Sequence, residues 1–174
     1  MLLKRGVWRN RFLLGLPVAV LPAIVATAIA SPSATAAPVD QQVATGSSIG
    51  TEGLEPGLAL AYTMAQNQAE AEGVDLSITS GYRTPEQQEE LWLDGLRTYG
   101  SPDVARRWVL PPAESTHVSG KAIDVGPRGG AQWLEVNGNQ WGLCRMYENE
   151  WWHFELATLP GTACPPLRAD ASER

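Results

Sequence analysis

The chain has 174 residues, with 13 lysines and arginines against 19 aspartates and glutamates, which gives a formal net charge of −6. Domains commonly contain about 100–150 residues, so this length predicts one domain together with a short targeting segment. The acidic excess argues against a nucleic acid partner, because phosphate backbones repel negatively charged surfaces.

The N-terminal segment has the pattern of a secretory signal. Four basic residues precede an apolar run from Phe12 to Ala30, and Ala34-Thr35-Ala36 then forms an A-x-A cleavage pattern. We therefore predict a signal peptide over residues 1–36 and a secreted or cell-envelope protein. The alternative is an uncleaved anchor, since the apolar run is near the lower limit of about 17–25 residues for a spanning helix. In that case the N-terminal segment alone would contact the membrane.

The rest of the chain is more acidic than the whole. Residues 1–36 hold four of the thirteen basic residues and none of the nineteen acidic ones, which leaves a formal charge of −10. Residues 37–54 are rich in small and polar residues without periodicity, which is typical of a linker. We predict a single domain over residues 55–174 and expect it to act as a monomer.

The predicted helices and strands alternate without a regular βαβ rhythm. The clearest helix start is Thr84-Pro85-Glu86-Gln87, a capping box with proline in the first turn. The mixture favours an α+β fold with a small antiparallel sheet flanked by helices. The predicted helices are 56–72, 85–99, 102–108 and 132–136, and the predicted strands are 74–80, 121–125 and 151–156.

Two cysteines occur, Cys144 and Cys164. In an oxidising compartment an isolated pair indicates a disulfide, which here would join the C-terminal tail to the segment before Glu150. The competing interpretation is a pair of thiolate metal ligands, but no CxxC spacing supports it.

The two histidines of the chain, His117 and His153, both have carboxylates at useful spacing. Catalytic zinc sites typically take three protein ligands from His, Asp or Glu and leave a fourth position for water. A turn at Gly120 would let His117 and Asp124 point at one atom. Taken singly, each of these residues also fits a surface, core or capping role.

Glu150 lies three residues before His153. In an extended segment such residues do not face the same side, so Glu150 must lie at a turn before the strand to reach the metal site. A carboxylate there can take a proton from the attacking water and pass it to the leaving amine. Glu150 is therefore the candidate catalytic base.

Three motifs in order carry a resemblance to a known family. Ser115–Asp124 reads SxHxxGxAxD, Glu150–His153 reads ExxH, and the SGYR sequence Ser80–Arg83 precedes both. This set resembles the VanY-type D-alanyl-D-alanine carboxypeptidases, within the zinc peptidase superfamily that includes lysostaphin-like enzymes and the hedgehog domain. The similarity covers roughly Leu76–Leu156 and implies a hedgehog/DD-peptidase-like fold.

The resemblance also implies roles for individual residues. Glu150 would be the catalytic base, and Arg83 matches the family arginine that stabilises the developing oxyanion or the substrate carbonyl. Ser115 matches a position associated with substrate contact. One Zn²⁺ per chain is implied, although such donor sets also accept other divalent ions. The implied zinc ligands are His117, Asp124 and His153.

The expected function is that of a zinc-dependent D-alanyl-D-alanine carboxypeptidase acting on peptidoglycan stem peptides. A D,D-dipeptidase or a peptidoglycan endopeptidase would use the same site and differ only in pocket shape. A non-catalytic zinc-containing module that binds the cell wall is the alternative from another class. The joint presence of Glu150 and Arg83 favours an enzyme, because a binding module requires neither.

Overall fold

The computed structural model describes residues 50–174. The predicted signal peptide or anchor and nearly all of the predicted linker lie outside these residues and stay predictions. Among the helices of the described part, none combines the length and the apolar character that crossing a membrane requires.

Helices and strands form one antiparallel sheet with helices packed around it. The strand order is β1-β2-β4-β3, and each neighbouring pair is antiparallel. This confirms the predicted α+β class with a small antiparallel sheet. The elements are α1 (Pro56–Ala71), β1 (Ser77–Ser80), α2 (Pro85–Tyr99), α3 (Pro102–Ala105), β2 (Ala122–Gly126), α4 (Arg128–Asn137), β3 (Leu143–Arg145) and β4 (His153–Leu156), with 3-10 turns at Gly138–Trp141 and Ala171–Glu173.

The main core lies between α1 and the sheet. Tyr62 of α1, Ile123 of β2 and Phe154 of β4 are fully buried in one apolar cluster, which also contains Val125. Burying a large apolar side chain contributes about 1.5–3 kcal/mol each. Because side chains alternate along a strand, the burial of Ile123 and Val125 turns Asp124 to the opposite face of the sheet.

The start and end of α2 follow the sequence prediction. The Thr84 hydroxyl accepts a hydrogen bond from Gln87 N at 3.3 Å, and Gln87 Oε1 accepts one from Thr84 N at 2.9 Å. Gly100 ends the helix in the left-handed conformation, with φ 78°. This capping fixes the segment between β1 and α2, which carries Arg83.

Strand β1 is shorter than predicted, since it begins at Ser77 rather than at residue 74. The carbonyl of Leu76 accepts hydrogen bonds from Tyr62 Oη at 3.3 Å and Gln66 Nε2 at 2.9 Å, both on α1. The preceding residues are therefore tied to the helix instead of to a neighbouring strand.

Helix α4 is longer than predicted and begins at Arg128 rather than at residue 132. The first turn contains Gly130, where an added Cβ would lie 2.3 Å from the Asp75 carbonyl oxygen. Glycine here permits the helix to approach the segment before β1 closely, in a stretch where no helix was predicted.

The C-terminal tail, residues 157–174, returns to the sheet and is fixed there. The predicted disulfide is present, with Cys144 Sγ and Cys164 Sγ 2.02 Å apart. Arg168 N donates to Met146 O at 3.0 Å and Arg168 O accepts from Glu148 N at 2.8 Å. Strand β3, which carries Cys144, was not predicted, because three residues are too few to show a periodic pattern.

Candidate metal centre

The three predicted metal ligands converge on one point. Asp124 of β2 and His153 of β4 are direct partners across the two strands, and His117 precedes the turn that leads into β2. Asp124 Oδ1 lies 3.4 Å from His117 Nε2 and 3.1 Å from His153 Nδ1. All three ligand atoms lie within 4.8 Å of one another, and all three residues are buried.

The orientation of His117 is set by a backbone contact. Its Nδ1 lies 2.8 Å from the carbonyl oxygen of Gly81, so Nδ1–H donates and Nε2 faces Asp124. The turn at Gly120 has φ +69°, as glycine permits, and Gly120 N donates to His117 O at 3.1 Å. The predicted turn therefore brings His117 and Asp124 together.

Asp124 and His153 stabilise each other's charged forms. Burial raises the pKa of Asp124, but its contacts with the His117 and His153 imidazoles outweigh burial and hold that pKa well below its ordinary range. Burial lowers the pKa of His153, yet hydrogen bonds to Asp124 and Glu155 outweigh it and raise the pKa to about 9. A cation that replaces the His153 proton would therefore meet an ionised Asp124.

Glu150 lies beside the three converging residues without belonging to their group. It precedes the turn at residues 151–152, as predicted, and its Oε2 is 3.8 Å from His153 Nδ1. Burial raises the pKa of Glu150 to about 7, against the opposing charge of His153. A carboxylate with such a pKa is suited to accept and return a proton near neutral pH.

Arg83 lies at the edge of the same cleft and is held by three contacts. Its Nη2 is 2.8 Å from Asp124 Oδ2, Nη1 donates to Gln88 Oε1 at 3.1 Å, and Nε donates to Ser80 Oγ at 3.0 Å. The guanidinium is therefore fixed in orientation, and its contact with a substrate stays a prediction.

Two residues that contact the centre, Gln88 and Glu155, were not predicted from the sequence. Gln88 of α2 is 1% exposed, accepts from Arg83 and donates from Nε2 to Leu110 O at 2.7 Å. Glu155 accepts from His153 Nε2 at 3.2 Å. Residues two apart on a strand share a face, so the position of Glu155 after His153 was the available signal.

The three converging residues line a cleft. Its lining also includes Trp108, which is 45% exposed and stacks on Tyr99 with ring centroids 6.2 Å apart. Ser115 is buried and lines the cleft, and its contact with a substrate stays a prediction. The cleft is lined by Arg83, Gln88, Trp108, Val109, Leu110, Ser115, Thr116, His117, Asp124, Tyr147, Glu150, Trp152, His153 and Ala171.

The donor set fits zinc. Two imidazole nitrogens and one carboxylate oxygen, contributed by His117, Asp124 and His153, are the ligand types of catalytic zinc sites. The second ring nitrogen of each imidazole already faces an oxygen acceptor, as is usual for histidines that bind a metal.

Comparison with known proteins agrees with this geometry. The model of the VanY family, described as D-alanyl-D-alanine carboxypeptidase, matches residues 51–158. A D-alanyl-D-alanine carboxypeptidase of Enterococcus faecalis (strain ATCC 700802 / V583) is 30% identical over 116 residues, which cover 52% of this chain and 43% of the relative. The chain therefore matches less than half the length of that relative.

Solved structures share the fold. One is a mutant of the vancomycin resistance D,D-pentapeptidase VanY from a VanB-type resistance cassette, in complex with Zn(II). It is 27% identical to this chain with a TM-score of 0.53, and the match covers 59% of this chain and 71% of that one. VanYB in complex with D-alanine-D-alanine is 25% identical with a TM-score of 0.53, covering 59% and 70%. Since the family model spans more than half of the chain and includes all three converging residues, the chain belongs to the VanY family of D-alanyl-D-alanine carboxypeptidases.

Proposed function

We propose that the protein is an exported zinc-dependent D-alanyl-D-alanine carboxypeptidase that removes the terminal D-alanine from peptidoglycan stem peptides. The observation that carries the proposal is the convergence of His117, Asp124 and His153 with Glu150 beside them in one cleft. Membership of the VanY family supports the reaction, and the Zn(II) complex of a structural neighbour supports the metal.

The chain's own residues supply proton transfer and charge stabilisation. Zinc, when bound, polarises the scissile carbonyl and lowers the pKa of a bound water to about 7. Glu150 takes a proton from the attacking water and delivers it to the nitrogen of the leaving D-alanine, so the peptide C–N bond breaks and the new carboxyl group keeps the water oxygen.

Arg83 stabilises the negative charge that develops on the carbonyl oxygen. It is the single arginine or lysine among the described residues that line the cleft, and its side chain is held by Ser80, Gln88 and Asp124. A fixed cation of this kind can contribute on the order of 3 kcal/mol to transition-state stability. Ser115, on the same cleft, is proposed to contact the substrate.

The alternative functions are other hydrolases that would use the same site and a binding module that would not catalyse a reaction. A D,D-dipeptidase or endopeptidase would share Glu150 and the metal ligands and accept a different substrate length. A non-catalytic wall-binding module has no use for a buried carboxylate whose pKa lies near 7 beside the ligands. The position of Glu150 therefore favours an enzyme over a binding module.

The test is to incubate the purified, zinc-loaded protein with a pentapeptide that ends in D-Ala-D-Ala and to measure free D-alanine. The same pentapeptide ending in D-Ala-L-Ala is the matched control. We expect D-alanine release from the first substrate and much less L-alanine release from the second. Absence of D-alanine would refute the carboxypeptidase assignment, and faster cleavage of free D-Ala-D-Ala or of intact sacculi would assign one of the other hydrolytic activities.

A further inference from the structure

His153 has a carboxylate on each side of its ring. Its Nδ1 faces Asp124 Oδ1 at 3.1 Å, so this nitrogen points into the proposed metal site. Its Nε2 lies 3.2 Å from Glu155 Oε1, two residues farther along β4. For Nδ1 to bind a metal, the ring proton must reside on Nε2, and Glu155 is the group that accepts it there.

Glu155 is itself held by two further donors. Thr116 Oγ1 donates to Glu155 Oε1 at 2.9 Å, and Arg174 Nη1 donates to the same oxygen at 3.0 Å. Arg174 Nη1 also donates to Thr116 Oγ1 at 3.1 Å. The Glu155 side chain is 13% exposed, so these charge-assisted contacts are only partly screened by water.

Arg174 reaches this position because the C-terminal tail is anchored along its length. The Cys144–Cys164 disulfide fixes the middle of the tail, and Arg168 is bonded to the segment after β3. Asp170 then pairs with Arg107 at 2.7 Å, immediately before the final 3-10 turn. The family match ends at residue 158, so the part of the tail that carries these contacts lies beyond it.

We propose that Glu155 is a positioning residue for the metal ligand His153, and that the C-terminal tail holds Glu155 in place through Arg174. The inference rests on the proposed metal centre and adds to it a group that acts through His153 rather than on the substrate. Glu155 selects the tautomer and the ring orientation in which Nδ1 is free to bind the cation.

The test measures zinc affinity, by competition with a chromophoric chelator, for the wild type, Glu155→Ala, Glu155→Gln, Arg174→Ala and the Glu155→Ala/Arg174→Ala double variant. We expect Glu155→Ala to weaken zinc binding by about 10–100-fold. Glu155→Gln should weaken it less, because an amide oxygen still accepts from Nε2–H. The Co²⁺-loaded proteins should show an altered d–d absorption spectrum in the same order.

The double variant tests the role of the tail. Arg174→Ala should weaken zinc binding by itself and should add nothing in the Glu155→Ala background, because it acts through Glu155. The matched controls are Glu89→Gln and Arg97→Ala, which change exposed residues of α2 and should leave zinc affinity unchanged. Equal losses from Arg174→Ala in both backgrounds would refute the part assigned to the tail.

Zinc affinity equal to that of the wild type in folded Glu155→Ala would refute the positioning role. If that variant does not fold, unchanged affinity and an unchanged Co²⁺ spectrum in both Glu155→Gln and Arg174→Ala would refute it equally. A wild-type protein that binds no zinc would overturn the proposed metal centre itself, so the two failures are distinguishable.

Discussion

Glu150 is a carboxylate in surroundings that oppose its charge. Burial raises its pKa to about 7, and the nearby Asp124 adds to the effect. A base transfers protons most effectively when its pKa lies near the working pH. The environment of Glu150 therefore suits proton transfer more than a structural ion pair.

Glu150→Gln is expected to keep the metal and lose the reaction. The amide cannot accept the proton of water, so kcat should fall by about 10²–10⁴-fold, while zinc content stays at one per chain. The measurements are D-alanine release and elemental analysis. Glu148→Gln is the control, because Glu148 is exposed two residues earlier. Activity retained in Glu150→Gln would favour a different base or a binding module.

Zinc affinity is expected to depend on pH through His153. The metal-free protein holds a proton on this ring below pH about 9, because the pKa of His153 is raised to that value. Zinc must displace that proton, so affinity should rise by about tenfold per pH unit between pH 6 and 9 and level off above. Chelator competition across this range measures it. A dissociation constant that does not change with pH would contradict the role of His153.

At the scale of the elements, the turn before β2 is strongly restricted to glycine at position 120. Gly120 has φ +69°, and an added Cβ would lie 2.5 Å from the backbone oxygen of Gly53. Both the left-handed backbone and the close approach exclude a larger residue. The turn is what brings His117 and Asp124 to the same point.

Gly120→Ala is expected to destabilise the protein by more than the left-handed conformation alone costs. Gly73→Ala is the matched control, since Gly73 has φ +73° with no atom within 4 Å of an added Cβ, and should lose about 1–2 kcal/mol. Gly120→Ala should lose more and should also weaken zinc binding. Urea unfolding and chelator competition compare the two variants. Equal stability losses would show that contact with Gly53 does not matter.

Elements governed by local chemistry were predictable from the sequence, and elements governed by distant contacts were not. The capping box at Thr84 and the left-handed Gly100 define α2 as predicted. By contrast, β1 loses its first residues because α1 engages the Leu76 carbonyl. The first turn of α4 depends on how closely Gly130 approaches Asp75. No periodicity within the segment reports either contact.

The same division applies to the site. His117, Asp124 and His153 were predicted from the motifs that resemble the VanY family, and the structure brings them together. Gln88 and Arg174 are not, because their roles depend on where α2 and the C-terminal tail pack against the cleft. Such positions become visible only when the tertiary contacts are known.

At the scale of the whole molecule, the main apolar cluster and the candidate metal centre lie on opposite faces of the sheet. Ile123 and Phe154 are fully buried against α1, whereas Asp124 and His153 face the cleft. Among the described residues, the cluster packed on α1 does not include His117, Asp124 or His153. Folding should therefore not require the metal.

Removal of zinc by a chelator is expected to leave a folded but less stable protein. Ligand binding to the native state alone adds about 2.7 kcal/mol when free zinc is 100 times its Kd. Far-UV circular dichroism should be unchanged, and the thermal midpoint should fall on chelation. His117→Ala, which lacks a ligand, should show no such fall. Loss of secondary structure on chelation would contradict the separation of core and metal centre.

The pairing of Asp124 with His153 across β2 and β4 has a consequence for assembly of the sheet. A slip of one residue between these strands would turn the imidazole toward the apolar interior and bring Phe154 to the other side. The ion site thus exists in only one alignment of the two strands. During refolding in the presence of Co²⁺, the d–d absorption of the bound ion should appear only once that alignment has formed. Its time course therefore reports the rate at which β2 and β4 pair.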